Sequence, residues 1–395
     1  MLDKNCHCFF FFVHTYNGNI DQNYENGNME NHISQAALKP LRHVELDVLK
    51  ACAIIFMIIC HAVIRLGEYH DGYESEFGFW FGDVVLGSYL FVAHAFMFAM
   101  GYATNLTRNY KPSDYIKRGI KIFIMAYVLN FFRYTVYVLL GSLVMRELLD
   151  LALYSFLCQD ILHFAGLALI FTGILKSLRL KEIPILIVGI ALSILGGLLA
   201  FSITGKEAFN YIVGFMLVTD KTWSCFAFFN WYIFVAFGIW FGSAAEKAKD
   251  PRKFYRYVLT ISFVILVAYL ILTFRFGEFF MSKERWYYAT SLSESIGYLS
   301  IDLTLLCLAR YLPQDNKLIR LFTLMSTNLN KIYIAQWCIL GFFESIFVAL
   351  LGITLTYPAI YVVGIILIPM SILAVQLTNR LTRNKAQRRP VKNEQ

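Results

Sequence analysis

The chain has 395 residues, of which 58% are hydrophobic, 17% aromatic and 16% charged. This composition, with a mean hydropathy of +0.56, excludes an ordinary soluble globular protein, and the net charge of +8 is therefore not a sign of nucleic-acid binding. No connection between apolar runs is long enough to fold separately. We therefore predict an all-α polytopic membrane protein whose single integral-membrane domain covers residues 39–378.

Polar tails are predicted on both sides of this domain. Residues 1–38 are rich in asparagine, and their run of four phenylalanines is too short for a membrane span or a signal peptide. We expect this N-terminal tail to be disordered and its first 28 residues to be dispensable. Residues 379–395 are basic, which suits a cytoplasmic tail beside the anionic inner leaflet.

Ten apolar runs of span length follow one another between the tails. They lie at residues 48–66, 83–104, 119–141, 159–177, 183–203, 226–244, 256–274, 292–311, 329–352 and 356–378. Every second connection is basic, whereas the first connection on the other side is acidic. By the positive-inside rule both termini are cytoplasmic. We expect about ten helices around a polar central cavity, in the cell membrane.

The first span carries two ionisable groups on one face. His61 follows Lys50 by eleven positions, which returns the helix to within about 20° of the same face and separates the residues by roughly 16 Å. An ionisable group in hydrocarbon is expensive, so His61 is by default a candidate functional residue.

Further polar residues lie inside the later spans. In chain order they are His94, Asn130, Arg133, Asp160, His163, Asp302 and Gln336. Asp160 and His163 are three residues apart on one helix face, where a carboxylate would orient an imidazole and raise its basicity. The alternative for His94, Asn130 and Gln336 is a hydrogen-bonding link between helices.

Other features have structural interpretations. Asp302 could pair with a base on a neighbouring helix, and Gly101 is expected to permit close helix packing. Cys158 and Cys225 both lie near the outer surface, so a disulfide between them is possible. No cysteine pair has metal-ligand spacing on one element, and we predict no structural zinc and no other metal site.

Five segments carry a resemblance to a known family. In chain order they are ELDVLKACAIIFMIICHA, HAFMFAMGYATN, DYIKRGIKIFIMAYVLN and QDILHFAGLALI, within residues 42–175, and then STNLNKIYIAQW. In this order and spacing the chain resembles the transmembrane acyltransferase superfamily. That superfamily includes acyltransferase family 3 and the heparan-α-glucosaminide N-acetyltransferase branch.

The resemblance implies roles for particular residues. Lys50 and His61 occupy the positions of a basic residue and an essential histidine in family 3, although lysine lacks the bidentate fork of the commoner arginine. The heparan branch places its active histidine near the lumenal end of the first helices, so His70 is a rival to His61. The basic cluster at the inner end of the third span is matched by Lys117, Arg118 and Lys121, which we expect to bind coenzyme A phosphates.

The function implied by the resemblance is acyl transfer across the membrane. An acyl group, usually acetyl, would pass from cytoplasmic acyl-CoA to a hydroxyl or amine of an extracytoplasmic glycan or amino sugar. Acetyl-CoA is then a co-substrate and no cofactor is tightly bound; membrane lipid is an expected partner and nucleic acid is not. We expect the catalytic groups among His61, Lys50, His70, Asp160 and His163.

The mechanism has two open routes in this interpretation. His61 would act as a general base in direct transfer, with Asn130 or a backbone N–H stabilising the oxyanion, or it would form an acyl-histidine. The remaining candidates, His94, Asn130, Arg133, Asp302 and Gln336, are structural or belong to the acceptor site. The competing class is a secondary transporter or channel, in which Lys50, Asp302 and Glu344 mark an ion path.

Overall fold

The computed structural model describes residues 43–66, 92–106, 111–135, 153, 156–202, 207–219, 226–276, 289–313, 316–343 and 355–387. The helices in this part of the chain are α1 Val44–Leu66, α2 Val92–Leu106, α3 Pro112–Asn130, α4 Ile161–Ser177, α5 Glu182–Leu199 and α6 Glu207–Gly214. They continue with α7 Phe228–Lys247, α8 Pro251–Phe276, α9 Leu292–Ala309, α10 Lys317–Thr327, α11 Leu329–Phe343 and α12 Tyr357–Gln387. α3 runs on into a π-helical turn, Phe131–Thr135.

Six of the described helices are long and apolar enough to cross a membrane. These helices are α1, α5, α7, α8, α9 and α12, and α4 is a shorter apolar helix. The protein is therefore an integral membrane protein. α2, α3 with its π-helical turn, and α11 cover parts of three other predicted spans, whose remaining residues lie outside the described ranges. The count of ten spans and the cytoplasmic position of the termini stay predictions.

Helix α1 lies at the centre of the described fold. It packs against α2, α9, α10, α11 and α12, and Leu49, Ala53, Ile54 and Ile58 on it are at most 1% exposed. A helix buried on most of its circumference leaves its polar side chains facing protein rather than lipid. Any polar residue on α1 is thus placed to interact with several other helices.

Glycines set the closest helix contacts. A Cβ on Gly119 of α3 would lie 2.6 Å from the carbonyl oxygen of Gly166 on α4, and one on Gly166 would lie 2.8 Å from that of Gly119. A Cβ on Gly101 of α2 would overlap the backbone of Val235 on α7. The prediction that Gly101 permits close helix packing is confirmed, and the α3–α4 contact fixes the pair that carries much of the site.

A polar network joins helix ends on one side of the bundle. Glu45 near the start of α1 accepts hydrogen bonds from Tyr255 of α8 and from Arg310 after α9, both at 3.0 Å. The hydroxyl of Tyr102, near the end of α2, lies 3.1 Å from Nδ1 of His43. These contacts bring the start of α1 and α8 to the ends of α2 and α9, on the side that the sequence marks as basic.

Three features of the fold differ from the sequence predictions. α12 continues to Gln387, so the helix runs past residue 378, the predicted end of the last span, and much of the predicted basic tail is helical. The segment from 379 to 387 lacks glycine and proline, so nothing in it stops the helix. The short helices α6 and α10 were not predicted, and α10 packs on α1, where Ser326 donates a 2.6 Å hydrogen bond to Asp47.

Candidate active site

His61 lies near the C-terminal end of α1 and faces α11. Its Nδ1 atom is 2.9 Å from the amide nitrogen of Gln336. Its ring centroid is 4.3 Å from that of Trp337 and 6.1 Å from that of Tyr333. The side chain of Gln336 is fully buried, whereas His61 is partly exposed. One face of α11 therefore holds the imidazole, and His61 as a residue keeps some exposed surface.

A buried arginine lies beside the same face of α11. Arg133 is in the π-helical turn that follows α3, and its guanidinium carbon lies 4.3 Å from the Trp337 ring centre. It donates to the hydroxyl of Tyr333 at 3.3 Å and forms a 2.9 Å ion pair with Asp160. Short π-helical turns of this kind are frequent at functional sites. Trp337 thus contacts both the imidazole and the guanidinium.

Asp160 connects this cluster to the start of α4. Its Oδ2 accepts a 3.0 Å hydrogen bond from the Tyr333 hydroxyl, while its Oδ1 accepts one of 3.0 Å from the backbone N–H of Leu162. The side chain therefore caps α4 and holds Arg133 at the same time. The predicted proximity of Asp160 and His163 is also present, with Nδ1 of His163 3.3 Å from Oδ1.

His163 is enclosed rather than accessible. It is 0% exposed, and the rings of Phe123, Tyr127 and Phe215 surround it with centroids 4.5–6.3 Å away. The backbone N–H of Asp160 lies 3.2 Å from its Nδ1, completing a reciprocal cap. These contacts indicate that His163 fixes the start of α4. It is therefore a weaker candidate for the catalytic base than a histidine with exposed surface.

Asn130 uses its amide hydrogens on the backbone. It donates to the carbonyl oxygens of Phe156 and Cys158 at 3.0 and 2.6 Å, and its own oxygen accepts from Arg133 at 3.2 Å. Both N–H donors are occupied, so the suggestion that Asn130 stabilises an oxyanion does not fit this geometry. Its contacts instead tie the segment before α4 to the end of α3.

His94 and Asp302 form a separate pair between α2 and α9. Nδ1 of His94 lies 3.0 Å from both carboxylate oxygens of Asp302, and both side chains are 0% exposed. The imidazole stacks on Tyr298 with ring centroids 4.7 Å apart. The predicted contacts are present, since Asp302 pairs with a base on a neighbouring helix and His94 links two helices; whether these residues are structural or belong to an acceptor site stays a prediction.

The other predicted residues lie away from His61 or outside the described ranges. Lys50 is half-buried toward the opposite end of α1, and Lys117, Arg118 and Lys121 are exposed on the first half of α3. His70 and Cys225 are outside the described residues, so the role of His70 and the disulfide between Cys158 and Cys225 stay predictions. Within the described ranges no group of His, Cys, Asp and Glu is placed to hold a metal ion.

Two site residues were missed in the sequence. Tyr333 and Trp337 lie on α11 with Gln336, and both are buried at 5–6% exposure. The spacing of three and four residues places all three on one helix face. Once Gln336 was a candidate site residue, helical spacing alone could have identified Tyr333 and Trp337 as its neighbours. Aromatic residues make up 17% of this chain, so the sequence alone does not single out any one of them.

Comparison with known proteins decides the family. The profile described as heparan-α-glucosaminide N-acetyltransferase, catalytic, matches residues 42–274. The chain belongs to this family. No curated protein matches the chain.

The family match covers only part of the site. The region matched to the heparan-α-glucosaminide N-acetyltransferase family contains Lys50, His61, Arg133 and Asp160. It ends before α9, so the face of α11 that contacts His61 lies beyond it. The chain is therefore a membrane protein of an acetyltransferase family. Its candidate site also includes residues of α11, which lie in the last third of the chain.

Proposed function

We propose that the protein is a membrane acetyltransferase that moves the acetyl group of acetyl-CoA to a carbohydrate acceptor. The acceptor that the family name favours first is the amine of a glucosamine-type sugar, with a sugar hydroxyl as the second choice. Family membership supports the reaction class. The observation that carries the proposal is a partly exposed histidine, His61, held inside an apolar span beside a buried Arg133–Asp160 pair.

The exposure of the described histidines supports His61 as the proposed base. His94 and His163 are fully buried, and each is engaged by a carboxylate. His61 instead meets a neutral amide and retains exposed surface. A general base must come within hydrogen-bond reach of the proton that it removes. Of His61, His94 and His163, the three described histidines within the predicted spans, His61 meets this condition best.

The proposed step is a direct transfer. Neutral His61 takes a proton from the attacking amine or hydroxyl as the new bond to the thioester carbonyl forms. The carbon–sulfur bond then breaks, and the coenzyme A thiolate takes the proton from the imidazolium. The products are the acetylated acceptor and free coenzyme A thiol, and His61 returns to its neutral form.

Two other groups assist in this proposal. The guanidinium of Arg133 brings positive charge next to the site, where it favours negative charge on the attacked carbonyl oxygen. The exposed side chains of Lys117, Arg118 and Lys121 are accessible to the phosphates of coenzyme A. Cytoplasmic binding of the donor and an extracytoplasmic acceptor belong to the same proposal.

The transporter alternative gains no support from the described residues. Its main argument was intramembrane charge, and Asp302 is fully buried in its pair with His94 rather than lining a path. Glu344 lies outside the described residues. We therefore retain one candidate function.

The test is acetyl transfer by purified protein in detergent, wild type against His61→Asn. Release of coenzyme A thiol from acetyl-CoA is measured with glucosamine-terminated oligosaccharides, and mass spectrometry of the product gives the site of acetylation. We expect His61→Asn to lower kcat/KM by at least about 10³-fold without a change in thermal unfolding. Transfer by this variant within ten-fold of wild type would assign the base elsewhere, to His70 or His163.

A further inference from the structure

The amide of Gln336 offers His61 two different partners. Its nitrogen lies 2.9 Å from Nδ1 of His61, and its buried oxygen has no hydrogen-bond partner among the described residues. Rotation of the amide by 180° about its last bond exchanges the two atoms. Either the nitrogen donates to Nδ1, or the oxygen accepts the Nδ1 proton.

The two arrangements give opposite chemistry at the other ring nitrogen. A neutral imidazole carries one proton, so an N–H of Gln336 on Nδ1 places that proton on Nε2, where no lone pair remains for an acceptor. When the amide oxygen receives the Nδ1 proton, Nε2 keeps its lone pair. An imidazolium formed by proton transfer also keeps this hydrogen bond, since its Nδ1 still carries a proton.

We propose that Gln336 is a positioning residue for His61, and that its amide oxygen accepts the Nδ1 proton and so leaves Nε2 as the base. This inference rests on the proposed function and adds to it the tautomer of the reacting imidazole. The fixed position of Gln336 supports it, because the side chain is 0% exposed. The stacking of Trp337 against His61 restrains the ring from turning away.

A neutral partner also suits the charges around His61. The charges of Arg65 on α1, Arg133 after α3 and Asp160 before α4 interact electrostatically with the imidazole. On α11, the ring centroid of Tyr333 lies 6.1 Å from that of His61. Asp160 is already paired with Arg133. A carboxylate at position 336 would add a second negative charge and make the imidazole a stronger base that releases its proton less readily.

The first test reads the tautomer without activity. Protein labelled with ¹⁵N-histidine is studied by nitrogen NMR at pH 8, and the His61 signals are identified by their loss in His61→Asn. We expect a protonated Nδ1 and an unprotonated Nε2 in wild type and in Gln336→Glu, whose carboxylate can only accept. Gln336→Met should lose this fixed tautomer. A wild-type spectrum with the proton on Nε2 would overturn the inference.

The second test separates positioning from folding. Gln336→Met should lower kcat on the order of 10–100-fold and leave KM for acetyl-CoA within about two-fold. Gln336→Glu should recover most of this loss and move the acidic limb of the kcat/KM profile upward by about one pH unit or more. If the pH dependence of kcat/KM in both variants is the same as in wild type, Gln336 has a structural role only.

A matched control removes a buried amide elsewhere. Asn230 on α7 is 0% exposed, donates a 3.1 Å hydrogen bond to the carbonyl of Thr290, and leaves its own oxygen without a partner among the described residues. Asn230→Leu should lower thermal stability without displacing the pH limb. Absence of transfer by wild type with every acceptor would end the proposed function, while the NMR result would still decide how Gln336 meets His61.

Discussion

The residue that joins most parts of the site is Asp160, which holds a helix start, a guanidinium and a phenol at once. Its ion pair with Arg133 is nearly buried, since the two side chains are 13% and 3% exposed. A buried pair of this kind adds little net stability, but removal of one partner leaves an uncompensated charge. The pair therefore matters more for the arrangement of the site than for the stability of the fold.

Loss of one member of this pair should be costly. We expect Arg133→Met to destabilise the protein by about 3–5 kcal/mol because the nearly buried Asp160 carboxylate loses the positive charge of Arg133. Arg133→Met combined with Asp160→Asn should recover part of this loss. Thermal unfolding in one detergent, analysed as a double-mutant cycle, measures the coupling. Additive effects of the two substitutions would show that the ion pair contributes nothing.

At the scale of whole helices, close packing depends on glycine residues, which have no side chain. The α2–α7 contact at Gly101 admits no Cβ without a backbone shift, whereas a Cβ on Gly197 of α5 would have nothing within 4 Å. The same substitution at the two positions therefore separates packing from intrinsic helix propensity.

Alanine should act in opposite directions at these glycines. Gly101→Ala is expected to destabilise the protein by about 1–3 kcal/mol through overpacking, and Gly197→Ala to stabilise it by up to about 1 kcal/mol through helix propensity. Thermal unfolding of both variants under identical conditions tests this. Equal effects would mean that the α2–α7 contact yields easily.

The basic face of α3 should act on donor binding alone. We expect Arg118→Ala with Lys121→Ala to raise KM for acetyl-CoA several-fold with little change in kcat, because lost phosphate contacts weaken ground-state and transition-state binding alike. Arg252→Ala with Lys253→Ala, on the exposed start of α8, is the matched control of equal charge. Equal KM changes in the two double variants would mean that the basic residues of α3 set the membrane orientation of the helix and do not bind the donor.

For the molecule as a whole, the sequence located the individual residues of the site better than their arrangement. Apolar runs predicted the helices, and unexpected polarity inside them pointed to His61, Arg133, Asp160 and Gln336. Helical periodicity gives the face of a residue but not the helix opposite that face. The contact between α1 and α11, the enclosure of His163 by aromatic rings and the use of Asn130 on the backbone therefore required the structure.

The family region should not function alone. Residues 42–274 lack the α9–α12 segment, and four of those helices pack on α1. We expect a chain ending at residue 276 to be aggregated in detergent and inactive, because it exposes the central helix and removes Gln336. Size-exclusion chromatography beside the full chain tests this, and a monodisperse, active fragment would contradict it.

The distance along the chain between His61 and Gln336 has a consequence for biosynthesis. The two residues are 275 positions apart, which at about 5–20 residues per second corresponds to roughly 14–55 s of translation. For that time the proposed base is already in the nascent chain while the amide that would orient it has not been made. Full transfer activity should therefore arise only when synthesis is nearly complete, so that prematurely terminated chains consume little acetyl-CoA.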